Sequence, residues 1–369
     1  MKKIGCITYH ASHNYGSCLQ AYALQEFVKR NFDCSYEIIN LRTENQSRLY
    51  SLCFDKKGLK NIIKSFLYYR FKKQLVNKYD KFESFINERI DLSPTSFSSF
   101  DELNAFKFDY DCCISGSDQI WNTSPADFDW SYYLGFIDNC IKASYAASFG
   151  PIDQKWDDSV RIRVASLLKG YDRISVREEG SRDIVKGLLK TEPSVNIDPT
   201  MLLSKGEWDK IINKKRYQEG DYIFLYDLKN KKDTYRIVKY ISKAVGLPVV
   251  VAQENLNTVS SNFIKRFDAG PEDFLNLIKN AKLVISSSFH GSVFPIIFGV
   301  PFFAIDGGSD YRINNLLRTL SLEHRSINSE DYAKKIDNAF SVDYTKALIV
   351  LSDEKKNSRD FLSAVIHGA

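Results

Sequence analysis

The chain has 369 residues, of which 44% are hydrophobic and 26% are charged. It can therefore bury a sizeable core and is long enough for about two domains, which excludes disordered and low-complexity classes. The formal net charge of +5 is too mild to indicate a nucleic acid as partner.

The seven cysteines all lie before residue 141, their number is odd, and none forms a C-x-x-C pair. We therefore expect neither a metal site nor a disulfide framework. Reduced, buried thiols are typical of a cytoplasmic protein. The start of the chain is too short in apolar residues for a signal peptide, and the longest apolar run, 293–305, is broken by two prolines and a glycine. It cannot span a bilayer, which needs about 20 residues.

The predicted elements begin with a strand at 4–9, a polar loop, a helix at about 18–31 and a second strand at 36–41. This βαβ order predicts a parallel sheet. The alternation resumes after residue 90 with strands at 110–115, 143–149 and 173–176 and helices at about 153–170 and 178–189. The second half repeats it with strands at 222–226, 248–253, 283–287 and 301–305 and helices at 233–245, 271–281, 290–298 and 311–320.

The segment 55–83 departs from this alternation. It contains nine Lys or Arg residues against three acids, with aromatic residues between them. We interpret it as a basic amphipathic helix pair. Two roles are open: a solvated helical insertion with an aromatic inner face, or a surface for an anionic membrane or a polyanionic acceptor.

Two consecutive α/β halves predict two Rossmann-like domains facing a cleft, with ligands bound outside the carboxyl ends of the strands. We place the first domain at 1–204, with the basic helical insertion at 55–90. The second domain is placed at 205–329 and a helical tail at 330–369.

Four strand-to-helix turns carry the candidate functional residues. In 286–292, hydroxyls and free N–H groups at a helix start form an anion site, to which His290 adds a proton donor. Arg177 ends an apolar strand, where it grips a carboxylate or phosphate or pairs with Glu178 or Glu179. In 116–121, Asp118 is a general base or hydroxyl orienter and Trp121 offers a flat face to a sugar. The turn 13–17 lacks a dinucleotide fingerprint.

Each turn also has a structural interpretation: a helix cap for 13–17, an N-capping Asp with a core Trp for 116–121, and a capped helix with a buried His for 286–292. We interpret Asp198-Pro199-Thr200 mainly as a domain boundary. The glycine-rich loop 306–310 either cradles a phosphate or simply turns.

Taken in order, these turns resemble the polysaccharide pyruvyl transferase family. The matching stretches are Asn14-Tyr15-Gly16 with Leu19-Gln20-Ala21-Tyr22-Ala23-Leu24, Gly116-Ser117-Asp118-Gln119-Ile120-Trp121-Asn122, Ser175-Val176-Arg177-Glu178, Asp198-Pro199-Thr200, and Ser287-Ser288-Phe289-His290-Gly291. They span residues 4 to about 320.

The resemblance implies a GT-B-like fold and the transfer of pyruvate from phosphoenolpyruvate to two hydroxyls of a sugar, giving a cyclic ketal. It implies no cofactor and no metal, and an acceptor in a capsular polysaccharide, an exopolysaccharide or a lipid-linked precursor. The enzyme would then be cytoplasmic, with the inner face of the membrane as a second location. The expected catalytic residues are His290, Asp118 and Arg177. The expected donor-binding residues are Arg177, Ser288, His290, Gly291 and Ser292. The expected acceptor-binding residues are Asn14, Tyr15, Gly16, Ser117, Asp118, Gln119 and Trp121.

Two alternatives stay open at this stage. The same turns would serve a GT-B glycosyltransferase that uses a nucleotide sugar. A non-catalytic subunit of a polysaccharide-assembly complex, held at the membrane by 55–83, is the second alternative. The presence of Arg177, Asp118 and His290 together argues against a purely binding role.

Overall fold

A computed structural model describes residues 1–52, 59–151, 153–305 and 310–368. The chain divides into two compact units. The first unit comprises 1–50, 86–203 and 351–369, and the second comprises 51–85 and 204–350. Residues 55–58 of the basic segment and most of the loop 306–310 lie outside the described residues.

The elements of the first part of the chain alternate as the sequence predicts. They are β1 (Lys2–Ile7), α1 (Tyr15–Asn31), β2 (Cys34–Leu41), α2 (Glu44–Tyr50), α3 (Leu59–Arg89), β3 (Leu92–Phe97), α4 (Phe100–Ala105), β4 (Cys112–Ser115), β5 (Ile141–Ser144), α5 (Asp158–Leu168), β6 (Ser175–Val176), α6 (Glu179–Leu189) and β7 (Ser194–Val195).

The sheet of the first unit is parallel, in the order β3-β2-β1-β4-β5. Bridges from Ala143 to Arg173 and from Ala147 to Val176 continue it toward the β6–β7 pair. The order reverses between β1 and β4, which is the position where open α/β sheets bind ligands. Strand β4 is buried at every residue, as expected for a parallel strand covered on both faces.

The remaining elements are α7 (Lys205–Trp208), β8 (Ile223–Tyr226), α8 (Lys232–Val245), β9 (Val249–Val251), α9 (Leu256–Ser260), β10 (Ile264–Lys265), α10 (Pro271–Lys279), β11 (Leu283–Ser286), α11 (Phe289–Phe298), β12 (Phe302–Ile305), α12 (Tyr311–Thr319), β13 (Ser326–Ile327), α13 (Tyr332–Lys335) and α14 (Thr345–His367). The sheet of the second unit is also parallel, in the order β10-β9-β8-β11-β12-β13. Its order reverses between β8 and β11, so each unit has its own ligand-binding position.

The basic segment differs from its prediction in two respects. Leu59–Arg89 forms one helix, α3, rather than a helix pair. Its residues up to Phe85 belong to the second unit, so the expected insertion into the first domain is wrong for that stretch. The reason is packing: the ring of Phe71 lies edge-on to Phe267 with centroids 5.0 Å apart. Lys81 also pairs with Asp273 at 2.7 Å.

The expected separate tail at 330–369 is also corrected. Residues 330–350 belong to the second unit and 351–369 to the first. Within the first unit, the amine of Lys2 donates to the carbonyl of Ile366 at 2.8 Å, and Asn196 donates to the hydroxyl of Ser358 at 3.3 Å. Among the described residues, we find no helix that combines the length and apolar character of a membrane span.

Candidate functional site

The turn after β1 begins the candidate site of the first unit. Asn14 is the N-cap of α1, and its Oδ1 accepts hydrogen bonds from the backbone N–H groups of Gly16 and Ser17. Tyr15 is buried in the first turn. These contacts give Asn14 the helix-capping role that the sequence left open beside acceptor binding. They leave its amide nitrogen outside the cap.

Asp118 lies opposite this turn, after β4. Its backbone has φ of 73°, a left-handed conformation that an aspartate tolerates better than most residues. Its carboxylate accepts a hydrogen bond from the hydroxyl of Ser17 at 2.7 Å and is largely buried. The turns after β1 and β4 are thus joined at the point where the strand order reverses. This is where the sequence predicted a hydroxyl-orienting acid.

Arg177 follows β6 and lies among three carboxylates. Its guanidinium contacts Asp198 at 2.8 Å, Glu178 at 3.3 Å and Asp118 at 3.8 Å. Its side chain is only 2% exposed. Burial disfavours the charged guanidinium, but the three carboxylates outweigh burial and raise the pKa of Arg177 above its usual value.

This environment bears on the expectation that Arg177 grips the donor, which stays a prediction. A guanidinium that already neutralises part of three negative charges has little attraction left for a phosphate, and a phosphate would have to displace a carboxylate. The pairing with Glu178 was the structural alternative considered from the sequence. The geometry therefore favours a positioning role, in which Arg177 holds Asp118 and Asp198 at the edge of the sheet.

Asp198 is a functional candidate that the sequence reasoning treated mainly as a boundary. Besides Arg177, its carboxylate accepts hydrogen bonds from the backbone N–H of Thr200 at 3.0 Å and from the hydroxyl of Ser117 at 3.3 Å. It is fully buried. The signal was present in the sequence, because an acid directly after a strand lies at the ligand-binding edge.

Ser117, Gln119 and Trp121 occupy the same turn as Asp118 but face different neighbours. The hydroxyl of Ser117 also donates to the carbonyl of Ala146 at 2.9 Å, and Gln119 accepts from Asn122 at 3.2 Å. Trp121 is fully buried and stacks on Tyr133 with ring centroids 5.6 Å apart. The expectation that Trp121 presents a face to a sugar is therefore wrong, because aromatic rings of the core cover it.

The turn after β11 forms the candidate site of the second unit. The hydroxyl of Ser286 donates to the carbonyl of Tyr226 at 2.9 Å, and the hydroxyl of Ser287 donates to Asp227 at 2.5 Å. Tyr226 is the last residue of β8, and Asp227 follows it directly. These bonds join the turns after β8 and β11, again at the position where the strand order reverses.

Helix α11 begins at this turn. Ser288 is its N-cap but makes no side-chain capping bond, and the hydroxyl of Ser292 donates back to the carbonyl of Ser288 at 3.0 Å. His290 lies in the first helical turn, is 6% exposed, and meets the ring of Phe289 edge-on. The predicted donor-binding residues of this turn are therefore brought together.

Gly291 has a packing explanation of its own. A Cβ atom there would lie 2.1 Å from the hydroxyl of Ser286 and 2.9 Å from the ring of Tyr226. Its lack of a side chain lets α11 approach β8 and β11 closely. Ligand approach is therefore not needed to account for the glycine.

Cations that the sequence reasoning missed lie near this turn. Arg312 donates two hydrogen bonds to Asp310, from Nε at 3.1 Å and from Nη2 at 2.9 Å. Burial alone would raise the pKa of Asp310, but Arg312 and the charge of Lys229 lower it below the usual value. The backbone N–H of Lys229 in turn faces the hydroxyl of Ser287 at 3.5 Å. Lys229 lies shortly after β8, and Arg312 lies in the first turn of α12.

Comparisons with known proteins bear on both units. The family model for polysaccharide pyruvyl transferase matches residues 14–309. No match was found among curated proteins.

Three solved structures illustrate the likeness in fold. A putative UDP-N-acetylglucosamine 2-epimerase from Listeria monocytogenes is 10% identical with a TM-score of 0.60, over 99% of this chain and 96% of that one. The S. aureus MnaA–UDP structure is 11% identical with a TM-score of 0.54, over 100% and 97%. The UDP-GlcNAc 2-epimerase of Methanocaldococcus jannaschii, in complex with UDP-GlcNAc and UDP, is 11% identical with a TM-score of 0.54, over 98% and 99%. At this identity they show the fold alone, and they confirm the predicted GT-B-like class of two Rossmann-like units.

Proposed function

Because this chain belongs to the polysaccharide pyruvyl transferase family, we propose that it transfers pyruvate from phosphoenolpyruvate to two hydroxyls of one sugar. The product is a cyclic ketal on a capsular polysaccharide, an exopolysaccharide or a lipid-linked precursor. The observation that carries the proposal is the start of α11, where His290 lies in the first helical turn directly after β11, at the reversal of strand order.

The donor chemistry fits the second unit. Phosphoenolpyruvate carries a phosphate and a carboxylate, and a helix N-terminus attracts both through its dipole and its N–H groups. Ser288 leaves those N–H groups uncapped by its own side chain. Lys229 adds positive charge near the same turn, whereas the charge of Arg312 is paired with Asp310. His290 binds the phosphate in this proposal and is the general acid that protonates the donor methylene carbon.

The acceptor chemistry fits the first unit. A sugar hydroxyl becomes a better nucleophile when a carboxylate accepts its proton. Asp118 is held for that task by Ser17 and Arg177. Protonation of the methylene carbon gives an oxocarbenium-like centre, which the first hydroxyl attacks. Phosphate then leaves, and the second hydroxyl closes the ring.

The proposal includes an anionic membrane surface as a binding partner of α3. On the described part of α3, the side chain of Tyr69 is 82% exposed, and Arg70, Lys72 and Lys73 are exposed beside it. Burial and the charge of Arg70 lower the pKa of Lys265, so these two basic side chains lie near each other. An aromatic residue among lysines and arginines suits an anionic lipid interface. In a vesicle sedimentation assay, K72E/K73E should lose binding to phosphatidylserine-containing vesicles that wild type retains, and equal sedimentation would contradict the membrane partner.

The test of the function is incubation with phosphoenolpyruvate and p-nitrophenyl β-galactoside, p-nitrophenyl α-mannoside or N-acetylmannosamine. The product should gain the mass of pyruvate less water. His290→Ala should lose this transfer, whereas His324→Ala, an exposed histidine of the same unit, should keep it. Tight UDP-GlcNAc binding without any transfer from phosphoenolpyruvate would instead favour a nucleotide-sugar glycosyltransferase.

A further inference from the structure

A further carboxylate, outside the group held by Arg177, lies at the same edge of the first unit as Asp118. Asp127 follows β4, and Tyr50 ends α2. The hydroxyl of Tyr50 donates to Asp127 at 3.2 Å, and the ring of His13 stacks on Tyr50 with centroids 5.7 Å apart. The turn after β1, the helix α2 and the segment after β4 therefore meet around this acid.

Asp127 is 8% exposed, and no cation pairs with it among the described residues. Burial raises its pKa above the usual value, and the charge of Asp118 raises it further. Hydrogen bonds from its own backbone and from the hydroxyls of Tyr50 and Ser12 only partly oppose these effects. A buried carboxylate without a cation costs stability, which makes Asp127 a candidate for a role outside folding.

Tyr9 supplies an independent sign of a ligand. It is 5% exposed, and its hydroxyl has no hydrogen-bond partner within the described parts of the chain. Its ring contacts that of Tyr132 with centroids 4.6 Å apart. Burial is the main cause that raises the pKa of Tyr9, and the charges of Asp127 and Asp118 add to it, so the hydroxyl lies near both acids. Buried hydroxyls are normally satisfied, and a polar group of a bound molecule would satisfy this one.

Ketal formation releases two hydroxyl protons, and a general base can assist the loss of each. Each of the two sugar hydroxyls forms a bond from oxygen to the central carbon of the donor and loses one proton. The methylene carbon gains one proton and becomes a methyl group. The bond from the central carbon to the phosphate oxygen breaks, and phosphate leaves with the electron pair and the other proton. The two hydroxyl protons end on the methyl group and on the phosphate, and each leaves its oxygen at a different step, so each step offers a place for its own general base.

We propose that Asp127 is a second catalytic residue on the acceptor side, which accepts the proton of the hydroxyl that closes the ring while Asp118 serves the first hydroxyl. Tyr50 orients the carboxylate, and Tyr9 donates to an oxygen of the bound sugar. This inference rests on the proposed function, because it concerns the same reaction.

The experiment compares wild type with Asp127→Asn, Asp118→Asn and Asp138→Asn in D2O, using phosphoenolpyruvate and whichever of the three test acceptors wild type uses. Asp138 is a matched control, since its exposed carboxylate pairs only with Lys142 among the described residues. Ketal is measured by mass. Reversal of the first addition is measured as acceptor-dependent deuterium in recovered phosphoenolpyruvate.

Asp127→Asn should lower ketal formation by about 100-fold or more, the usual contribution of a general base. It should still place deuterium in phosphoenolpyruvate, so the ratio of exchange to ketal should rise by about the same factor. Asp118→Asn should lose both signals. Thermal unfolding of Asp127→Asn should occur no lower than that of Asp138→Asn.

Ketal formation by Asp127→Asn within about threefold of wild type would overturn this inference alone. A parallel loss of exchange and ketal, or a marked loss of thermal stability, would assign Asp127 to folding or to the first step and overturn it as well. No ketal from wild type with any acceptor would contradict the proposed function itself.

Discussion

The two units use the same kind of strand order to build edges of different chemical character. In both, the order reverses beside the first strand of the unit, and the turns on either side of that point are joined by serine hydroxyls. The edge of the first unit is rich in carboxylates, whereas that of the second combines a helix start and a histidine with Lys229, Asp227 and the pair of Arg312 with Asp310. The strand order thus sets the position of a ligand site, and the side chains of the turns set the charge of the ligand that the site favours.

The largest expected effect concerns the carboxylate-rich edge. Arg177→Ala leaves Asp118, Glu178 and Asp198 buried without their cation, which should lower the free energy of unfolding by about 3–5 kcal/mol. Urea denaturation measures it, with exposed Arg161→Ala as control. Unchanged stability together with weaker phosphoenolpyruvate binding would restore the original expectation that Arg177 grips the donor.

Trp121 tests whether the first edge includes an aromatic sugar platform. Trp121→Phe should lower the free energy of unfolding by about 0.5–3 kcal/mol, because the indole fills a space between Tyr133 and Phe149 in the core. The KM for the acceptor should stay within about twofold of wild type. An acceptor KM that rises tenfold without loss of stability would contradict the core assignment.

Gly291 tests the close packing behind the second edge. Gly291→Ala should cost about 1–3 kcal/mol, because the new Cβ meets Ser286 and Tyr226. Gly187→Ala is the matched control: this glycine lies in α6 with no atom within 4 Å of its Cβ position, so alanine should be neutral or stabilise by up to about 1 kcal/mol. Equal effects of the two substitutions would show that packing at Gly291 is looser than described.

The smallest expected effect is on cysteine reactivity, which reports the unfolding of the first unit separately from that of the second. The described cysteines all lie in that unit. Burial raises the pKa of Cys6 and of Cys112 to about 12. Iodoacetamide at pH 8 should therefore leave both unmodified in the native protein, as peptide mapping can show. Their modification should appear only at urea concentrations that unfold the first unit, and modification without urea would contradict their burial.

The sequence was sufficient for what depends on local pattern. Asn14 as a helix cap, the strands around Ile114 and Ile285, and the positions of Asp118 and His290 after strands all follow from periodicity and turn residues. Which turns meet is decided by the strand order within each sheet. That order depends on pairing between strands that are distant in the chain.

Other features could not be obtained in that way. The apolar side of α3 suits any core, so only the contact of Phe71 with Phe267 shows that it packs in the second unit. A strand-end arginine looks alike whether it faces solvent or three acids. Asp127 carries no motif, and its relation to Tyr50 depends on a helix 77 positions away in the sequence.

The most direct measurement of the difference between the two edges is calorimetric binding of phosphoenolpyruvate to wild type, His290→Ala and Asp118→Asn. Wild type and Asp118→Asn should bind phosphoenolpyruvate with similar affinity, since we propose Asp118 for the acceptor and not for the donor. His290→Ala should bind it at least about tenfold more weakly, the loss of one charge-assisted hydrogen bond. Undiminished binding by His290→Ala with loss of binding by Asp118→Asn would contradict the assignment of the donor to the second unit.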